Sequence, residues 1–398
     1  MSTANQRIVS GAELEAQLIR FINGTLLGGN GKVDRDTPLF EEGHINSLRI
    51  LDLIAAVEKA IGAKIPDRAV RLANFRTVAT IVRTFHPSSE QGAGPSGIGS
   101  SDVFERRRDR AGFSSPLAAL VARGDVTLTS AGQVSLAGTA LDVMLAVDHT
   151  VQRWARELGA AEQRYPSLIA TDVLRRAGRE EWTVVGEPTL SAVDGLARND
   201  MALAPAVCYH TYPTFEHKPL TKTPTILTAL GRCYRHEGGN HVPLERLWEF
   251  TMREVIVLGA RDEVESMRQR LVRQVTDFVT TLDLDGTIAV AADPFFTSAD
   301  EGRRVMQQAG ALKHELLLTL EPNGRAIAAA SFNHHLDYFG SRFSITVPNG
   351  APAYSGCVAF GLERWVLAIF SQLGVDETGW PASAREWLDD ARRTLPRA

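Results

Sequence analysis

Period-two alternation of apolar and polar positions is clearest between Gly231 and Gly259. Cys233, Arg235 and Glu237 fall on one face of a first strand. Trp248, Phe250, Met252, Glu254 and Ile256 fall on one face of a second. Gly238-Gly239-Asn240 and Pro243 interrupt the pattern, which predicts a strand–loop–strand unit. Helical spacing replaces alternation over Glu13–Leu26, Asn74–Val82, Ala140–Gly159 and Asp262–Leu282. It also runs from Leu48 through Leu51, Ile54, Ala55 and Val57 to Ile61, the face expected to meet a core. Pro166 suits a helix start and predicts a helix opening over Arg164–Ile169. Lys313–Leu318 and Ala326–Phe332 read as strands, and Tyr354–Gly361 as a strand running into a helix at Leu362.

These elements fall into two territories. The first is helical and ends near residue 85; the second is mixed, with helix expected first after Val103. A stretch rich in Gly, Ser and Pro separates them. The expected domains are 1–85, a flexible linker 86–102, and 103–398. At about 5–6 Å times the square root of its length, the linker reaches ~20–25 Å.

Composition narrows the function classes. The formal net charge of −4 over 398 residues argues against a nucleic-acid grip, which needs a basic face. No apolar run is long enough to span a bilayer, and Met1–Gly11 lacks a signal-peptide pattern. The three cysteines, Cys208, Cys233 and Cys357, cannot all pair. They suit a reducing compartment or a metal site, and the chain is expected to be soluble and cytoplasmic.

Charged groups on the inner faces of the central hairpin need partners or a ligand. Arg235 can hold a phosphate bidentately, Glu237 can accept from a base amino group, and Phe250 can stack on a ring. Together they point to a nucleotide. The run Cys233-Tyr234-Arg235-His236-Glu237-Gly238-Gly239, followed by Arg246 to Phe250, resembles motif 2 of class II aminoacyl-tRNA synthetases of the seryl type. Gly361 and Arg364 resemble parts of motif 3, and Pro166 is the candidate for the motif 1 proline of the dimer interface. The resemblance implies an α+β fold: a class II antiparallel sheet flanked by helices, in a homodimer. It also implies an ATP site of Arg235, Glu237, Arg246, Phe250 and Arg364, with Arg235 and Arg364 catalytic. Ser331 and Asn333 are the candidates to match the seryl-type Mg²⁺ site; the strand before Ser331 lacks a carboxylate, and Glu315 is the alternative acid.

Residues 12–85 resemble acyl and peptidyl carrier proteins, a four-helix bundle. Asn46-Ser47-Leu48 stands where that family carries an acidic residue, then Ser-Leu, and Ser47 matches the serine that takes 4′-phosphopantetheine. A phosphodiester suits a helix N-terminus. A phosphopantetheinyl transferase is then an implied partner.

The loop Leu203–His210 aligns with the segment that grips the substrate amine in seryl enzymes, but Ala206 and Cys208 replace its usual Thr and Glu. Spacing alone signals no metal here, since there is no C-x-x-C pair. A zinc-dependent branch of the seryl synthetases, with its truncated relatives the amino acid:[carrier protein] ligases, carries a Cys–Glu–Cys triad that Cys208, Glu254 and Cys357 match. Cys233 is a rival ligand, read here as a packed core thiol. His334 and His335 point apart on a strand and do not share one ion. The resemblance implies ATP-dependent activation of a small amino acid, glycine or alanine, and its transfer to a carrier thiol, its own or a separate one. The alternatives are tRNA aminoacylation, which the acidic balance speaks against, and a non-catalytic paralogue.

Overall fold

The structure is a computed structural model. It describes residues 10–29, 32–40, 49–63, 65, 72–86, 102–107, 115–130, 132–178, 200–235, 241–291, 311–321 and 324–395. The chain divides into two compact units. One is Met1–Ser101 with Val290–Lys313; the other is Asp102–Ala289 with His314–Ala398.

The smaller unit is built from α1 (Gly11–Phe21), a π-helical turn (Ile22–Leu26), α2 (Arg49–Ile61), α3 (Leu72–Phe75) and α4 (Val78–Phe85). Ser10 and Glu13 cap α1 reciprocally: Ser10 Oγ accepts from Glu13 N and Glu13 Oε2 accepts from Ser10 N. Asn23 then ties the loop down through two 2.8 Å bonds to the Val33 backbone. Leu14, Leu18, Ile22, Ile50, Leu53, Val57, Phe75, Val78 and Ile81 close the core. The buried stripe of α2 keeps Val57 from the expected one, with Ile54 and Ile61 packed at its edge, but adds Ile50 and Leu53 and leaves Ala55 exposed. Ile50, Leu53, Ile54, Val57 and Ile61 fall on one face and Asp52 and Lys59 on the other, a stripe that starts from Ile50 rather than Leu48. The last helix is also split, because Thr77 caps α4 by accepting from Thr80 N at 3.1 Å.

The larger unit begins with a strand rather than the expected helix. In order it has β1 (Asp102–Arg106), α5 (Leu117–Ala122), β2 (Val126–Ser130), β3 (Gln133–Leu136), α6 (Gly138–Glu157), β4 (Ala161–Gln163) and β5 (Leu168–Ala170). Then come α7 (Thr171–Arg176), β6 (Met201–Leu203), α8 (Thr211–Thr214), β7 (Thr225–Tyr234), β8 (Glu249–Gly259) and α9 (Arg261–Thr281). The unit finishes with β9 (Gly286–Val290), β10 (Lys313–Thr319), β11 (Ala326–Leu336), α10 (Tyr338–Arg342), β12 (Tyr354–Gly361), α11 (Leu362–Leu373) and α12 (Ala382–Thr394). The main sheet has the order β1-β9-β10-β11-β12-β8-β7-β4. The expected antiparallel sheet is found with one exception: β4 pairs in parallel with β7, opposing Ala161 to Leu227. The helix expected at Arg164–Ile169 is not there. Leu168–Ala170 pairs with β6 instead, and the helix starts at Thr171.

Strand β8 lies inside the sheet between β12 and β7 and is buried on both faces from Thr251 onward, which fits its apolar run Val255–Leu258. Val255 and Val257 pack into the core that also contains Val147, Val151 and Trp154 of α6, Leu271 and Val275 of α9, and Trp365 and Ile369 of α11. Ile256 and Leu258 face the other way, into a smaller core with Tyr212, Phe339 and Phe343. The first core is the sheet's helical backing. The second floors the site.

Candidate active site and metal centre

The site is laid out by alternation along β8 and β12. Glu254 stands opposite Ala359 of β12 on one side and Ala229 of β7 on the other. These small neighbours leave room for its carboxylate. Cys357 lies two residues from Ala359 on the same face of β12, within diagonal reach. Cys208 arrives from the short 3₁₀ turn Cys208–His210. That turn is fastened because Val207 N donates to Glu254 Oε1 at 2.8 Å; Thr228 Oγ1 of β7 separately donates to the Glu254 carbonyl at 2.8 Å. One ligand atom each from Cys208, Glu254 and Cys357 lies within 4.8 Å of the others. The residues are 4%, 1% and 6% exposed.

The electrostatics of this trio fit a cation. Burial lifts the Glu254 carboxyl above the usual carboxylate range. Cys208 is held well above its ordinary value, first by its hydrogen bond with Cys357 and then by burial. For Cys357 the bond with Cys208 pulls downward, but burial and the Glu254 charge outweigh it. Three acids in one dry space cannot all ionise unless a positive charge joins them. Glu254 Oε2 is also buried without a hydrogen-bond partner, the condition of an atom waiting for a ligand. Two thiolates and a carboxylate form a donor set for tetrahedral Zn²⁺ with one position left open.

A second ring of polar groups surrounds Cys357. Asn333 Nδ2 donates to Cys357 Sγ at 3.5 Å and to Ser331 Oγ at 3.1 Å. Ser331 therefore sits two positions along β11 from Asn333, which stands opposite Cys357. His335 Nε2 is 3.8 Å from the same sulfur. His334 points away, its Nδ1 accepting from Leu336 N at 3.0 Å, so the two histidines separate as alternation requires. Cys233 is fully buried among Val207, Ala229, Met252 and Ala359, and burial pushes its thiol up out of the range of easy ionisation.

The arginines lie further along the same strands. Arg235 follows β7; its Nε donates to Pro205 O at 3.1 Å and its guanidinium lies 5.2 Å from the Phe250 ring centroid. Cys233 pairs with Phe250 across the ladder, which brings the two together. Arg246 is not on the expected strand. It closes a tight turn, exchanging backbone bonds of 3.0 and 2.8 Å with Val242. Arg364, in the first turn of α11, donates from Nε to Glu245 O at 2.8 Å and from Nη1 to Ala328 O at 3.0 Å. Motif 3 and the Arg246 turn are thereby locked to each other. A Cβ at Gly361 would make only ordinary contact with Arg364 Cδ at 3.7 Å, so the fold itself does not demand glycine there. Glu315 is half-buried on β10, the strand beyond β11 from the trio. Glu237, the loop Gly238-Gly239-Asn240 and Ser47 lie outside the described residues.

Two buried charges were missed by sequence reasoning. Arg253, 2% exposed, faces away from the trio. It binds Asp148 of α6 through Nε and Nη2 at 2.6 and 3.0 Å, and Glu162 of β4 at 2.6 Å. Glu363 accepts the Thr251 amide on both oxygens at 2.9 Å, replacing the ladder bond that β12 would have supplied had it continued. The signal for Arg253 was legible: Arg253-Glu254, two charges in sequence within a Val/Ile strand, means one buried charge on each face.

The model of the tRNA synthetase class II core domain (G, H, P, S and T) matches residues 189–373, and that of the phosphopantetheine attachment site matches residues 17–85. The chain joins a phosphopantetheine-attachment domain to a class II synthetase core. It is similar to amino acid–[acyl-carrier-protein] ligase 1 of Bradyrhizobium diazoefficiens, 37% identical over 48% of this chain and 59% of that protein. It is 35% identical to ligase 2 of the same organism, over 49% of this chain and 58% of the other. A type-2 serine–tRNA ligase of Methanococcus aeolicus is 30% identical over 53% of the chain and 42% of its own length. The chain thus spans less than two thirds of the curated relatives it matches. The fold of the synthetase core is shared with M. kandleri SerRS bound to A. aeolicus tRNASec, at TM-score 0.61 and 20% identity over 84% of this chain and 72% of the other. It is also shared with seryl-tRNA synthetase from Pyrococcus horikoshii complexed with ATP, at 0.56 and 13% over 70% and 64%. Among the described residues, no helix is long and apolar enough to cross a membrane.

Proposed function

We propose that this chain is an amino acid:[carrier protein] ligase with its carrier fused in front: a carrier domain 1–85, a linker 86–102 and a catalytic domain 103–398. It activates a small amino acid, glycine or alanine, and loads it onto phosphopantetheine carried by Ser47 or by a separate carrier. The single observation that carries the reading is the buried trio of Cys208, Glu254 and Cys357, whose acids crowd one space and leave Glu254 Oε2 without a partner. The matched attachment domain and the names of the Bradyrhizobium relatives support the carrier as acceptor.

In the first step a carboxylate oxygen of the amino acid attacks the α-phosphorus of ATP, and pyrophosphate leaves. Arg235 holds the α-phosphate and offsets the charge that develops there. Phe250 stacks on the adenine and Glu237 accepts from its amino group. Arg246 and Arg364 bind the outer phosphates, and Ser331 and Glu315 are the candidates for Mg²⁺. Cys208, Glu254 and Cys357 would hold zinc, which would supply a Lewis-acid position for the unprotonated substrate amine. In the second step the pantetheine thiolate attacks the activated carbonyl, AMP leaves, and a thioester remains. Holding the reactants in place supplies much of the acceleration. A homodimer built on α6, β4 and the loop at Pro166 follows from the likeness to motif 1, and three unpaired cysteines suit the cytoplasm.

The test is intact mass of the chain after a phosphopantetheinyl transferase, then ATP, zinc and one amino acid at a time. The expected result is one pantetheinyl increment, followed by one glycyl or alanyl increment. Ser47→Ala loses both and keeps amino-acid-dependent pyrophosphate exchange. Charging of total tRNA but not of the carrier sinks the carrier reading. Absence of any exchange supports a non-catalytic paralogue.

A further inference from the structure

We propose that His335 is a positioning residue of this metal centre: it donates its Nε2 hydrogen to the Cys357 thiolate and so sets how firmly the trio grips its ion and the substrate amine. The inference rests on the metal reading above. Three independent features of the structure carry it.

The first is backbone geometry. Gly356 of β12 pairs with His334 and Ser355 pairs with Leu336, so the register shifts where His335 sits. Such bulges are common beside active sites, where they aim a side chain that regular pairing would not.

The second is ring orientation. Nδ1 of His335 faces two hydroxyls, Tyr212 Oη and Ser355 Oγ, each at 3.3 Å. A hydroxyl donating to Nδ1 leaves the ring proton on Nε2, the nitrogen that meets Cys357 Sγ at 3.8 Å. The ring is also packed in place. Phe339 meets it edge-on at 5.0 Å and stacks on Tyr212 at 3.9 Å, and Tyr212 is fully buried. Turning the imidazole breaks this arrangement.

The third is the asymmetry between the two sulfurs. Asn333 Nδ2 also reaches Cys357 Sγ, at 3.5 Å, so two N–H donors converge on that sulfur. His335 is outside the group whose ligand atoms lie within 4.8 Å of one another. It therefore acts through Cys357 rather than on the ion. The two N–H donors stabilise and orient the thiolate that the ion needs, and by drawing some charge from it they leave the metal a better acceptor for a neutral amine.

The experiment uses the full chain carrying His335→Phe or His335→Gln, loaded with zinc or with cobalt(II). Zinc affinity is read by competition with a chromophoric chelator. His335→Phe is expected to weaken it about 10- to 100-fold, the usual cost of losing an outer-shell partner. The sulfur-to-cobalt charge-transfer band should move to longer wavelength as the sulfur loses a donor. The KM for the amino acid should rise while the KM for ATP stays unchanged, a split that a general loss of folding does not produce. Gln keeps an N–H donor and should recover most of each effect. Wild-type affinity, spectrum and KM values in His335→Phe overturn the proposal, as does a lowered melting temperature with nothing else changed. Loss of a whole ligand from the cobalt spectrum also overturns it, because His335 would then bind the ion directly. A wild-type chain that takes up neither zinc nor cobalt overturns the metal reading itself, and so separates the two failures.

Discussion

Arg253 and Glu254 are consecutive residues of β8, equally buried, on opposite faces of the sheet. On the helical face, Arg253 meets Asp148 and Glu162 through three charge-assisted bonds. Its donors are satisfied and its charge is offset by acids from α6 and β4, so this face is finished. On the other face, Glu254 meets two thiols that are acids themselves, and one of its oxygens has no partner. Burial alone does not mark a functional group. A buried charge with a complete set of counter-charges holds a fold together, whereas one gathered with like charges awaits something that is not protein.

Removing a sulfur breaks that comparison most severely. Cys357→Ser or Cys208→Ser should take bound zinc from one per chain to nearly none by plasma emission analysis. Amino-acid-dependent pyrophosphate exchange should fall with it by about 10²-fold or more, the scale of a lost Lewis acid. Retention of stoichiometric zinc in either variant breaks the assignment.

Next in size is Arg235→Ala, which should lower exchange about 10²- to 10³-fold with folding and zinc content unchanged, as for a lost transition-state donor. Undiminished turnover would remove Arg235 from the phosphate site.

The two faces should then differ in stability. Arg253→Met strands Asp148 beneath the sheet and should cost about 3 kcal/mol in urea unfolding, the low end for a broken buried pair, because Glu162 keeps access to water. Glu254→Gln, measured without metal, relieves a buried carboxylate and should leave the urea midpoint equal or higher. Equal destabilisation by both substitutions erases the distinction drawn here.

The smallest effect is pH-dependent. His314 and His334 are buried beside the Glu265–Arg268 pair, and burial, with Arg268 adding to it, holds both down to about 4. The unfolded chain takes up those protons near pH 6.5 and the folded chain resists them. Stability should therefore be full above that value and decline progressively toward pH 4. A urea midpoint constant across this window contradicts the placement of these rings.

Much of this was legible in the chain. Alternation predicted the hairpin and which residues share a face of each strand, and helical spacing gave α6 and α9. What failed depended on distant pairing. Leu168–Ala170 is a strand only because β6 lies alongside it, and no local signal outweighed Pro166. On α2 the stripe was read from Leu48 and Leu51, whereas the face that packs runs through Ile50, Leu53 and Val57. The trio was invisible to spacing, since its members come from a 3₁₀ turn and two strands far apart in sequence; family likeness alone brought them together. His335 was set aside with His334 as a pair, although alternation already said that the two could do different things.

The account stands or falls on what occupies the space between Cys208, Glu254 and Cys357. Zinc-edge X-ray absorption on the purified full chain reads this directly. Two sulfurs at about 2.3 Å and light atoms at about 2.0–2.2 Å are expected, with the light-atom shell changing when the amino acid is added. A chain without zinc, or zinc surrounded by light atoms alone, would contradict it.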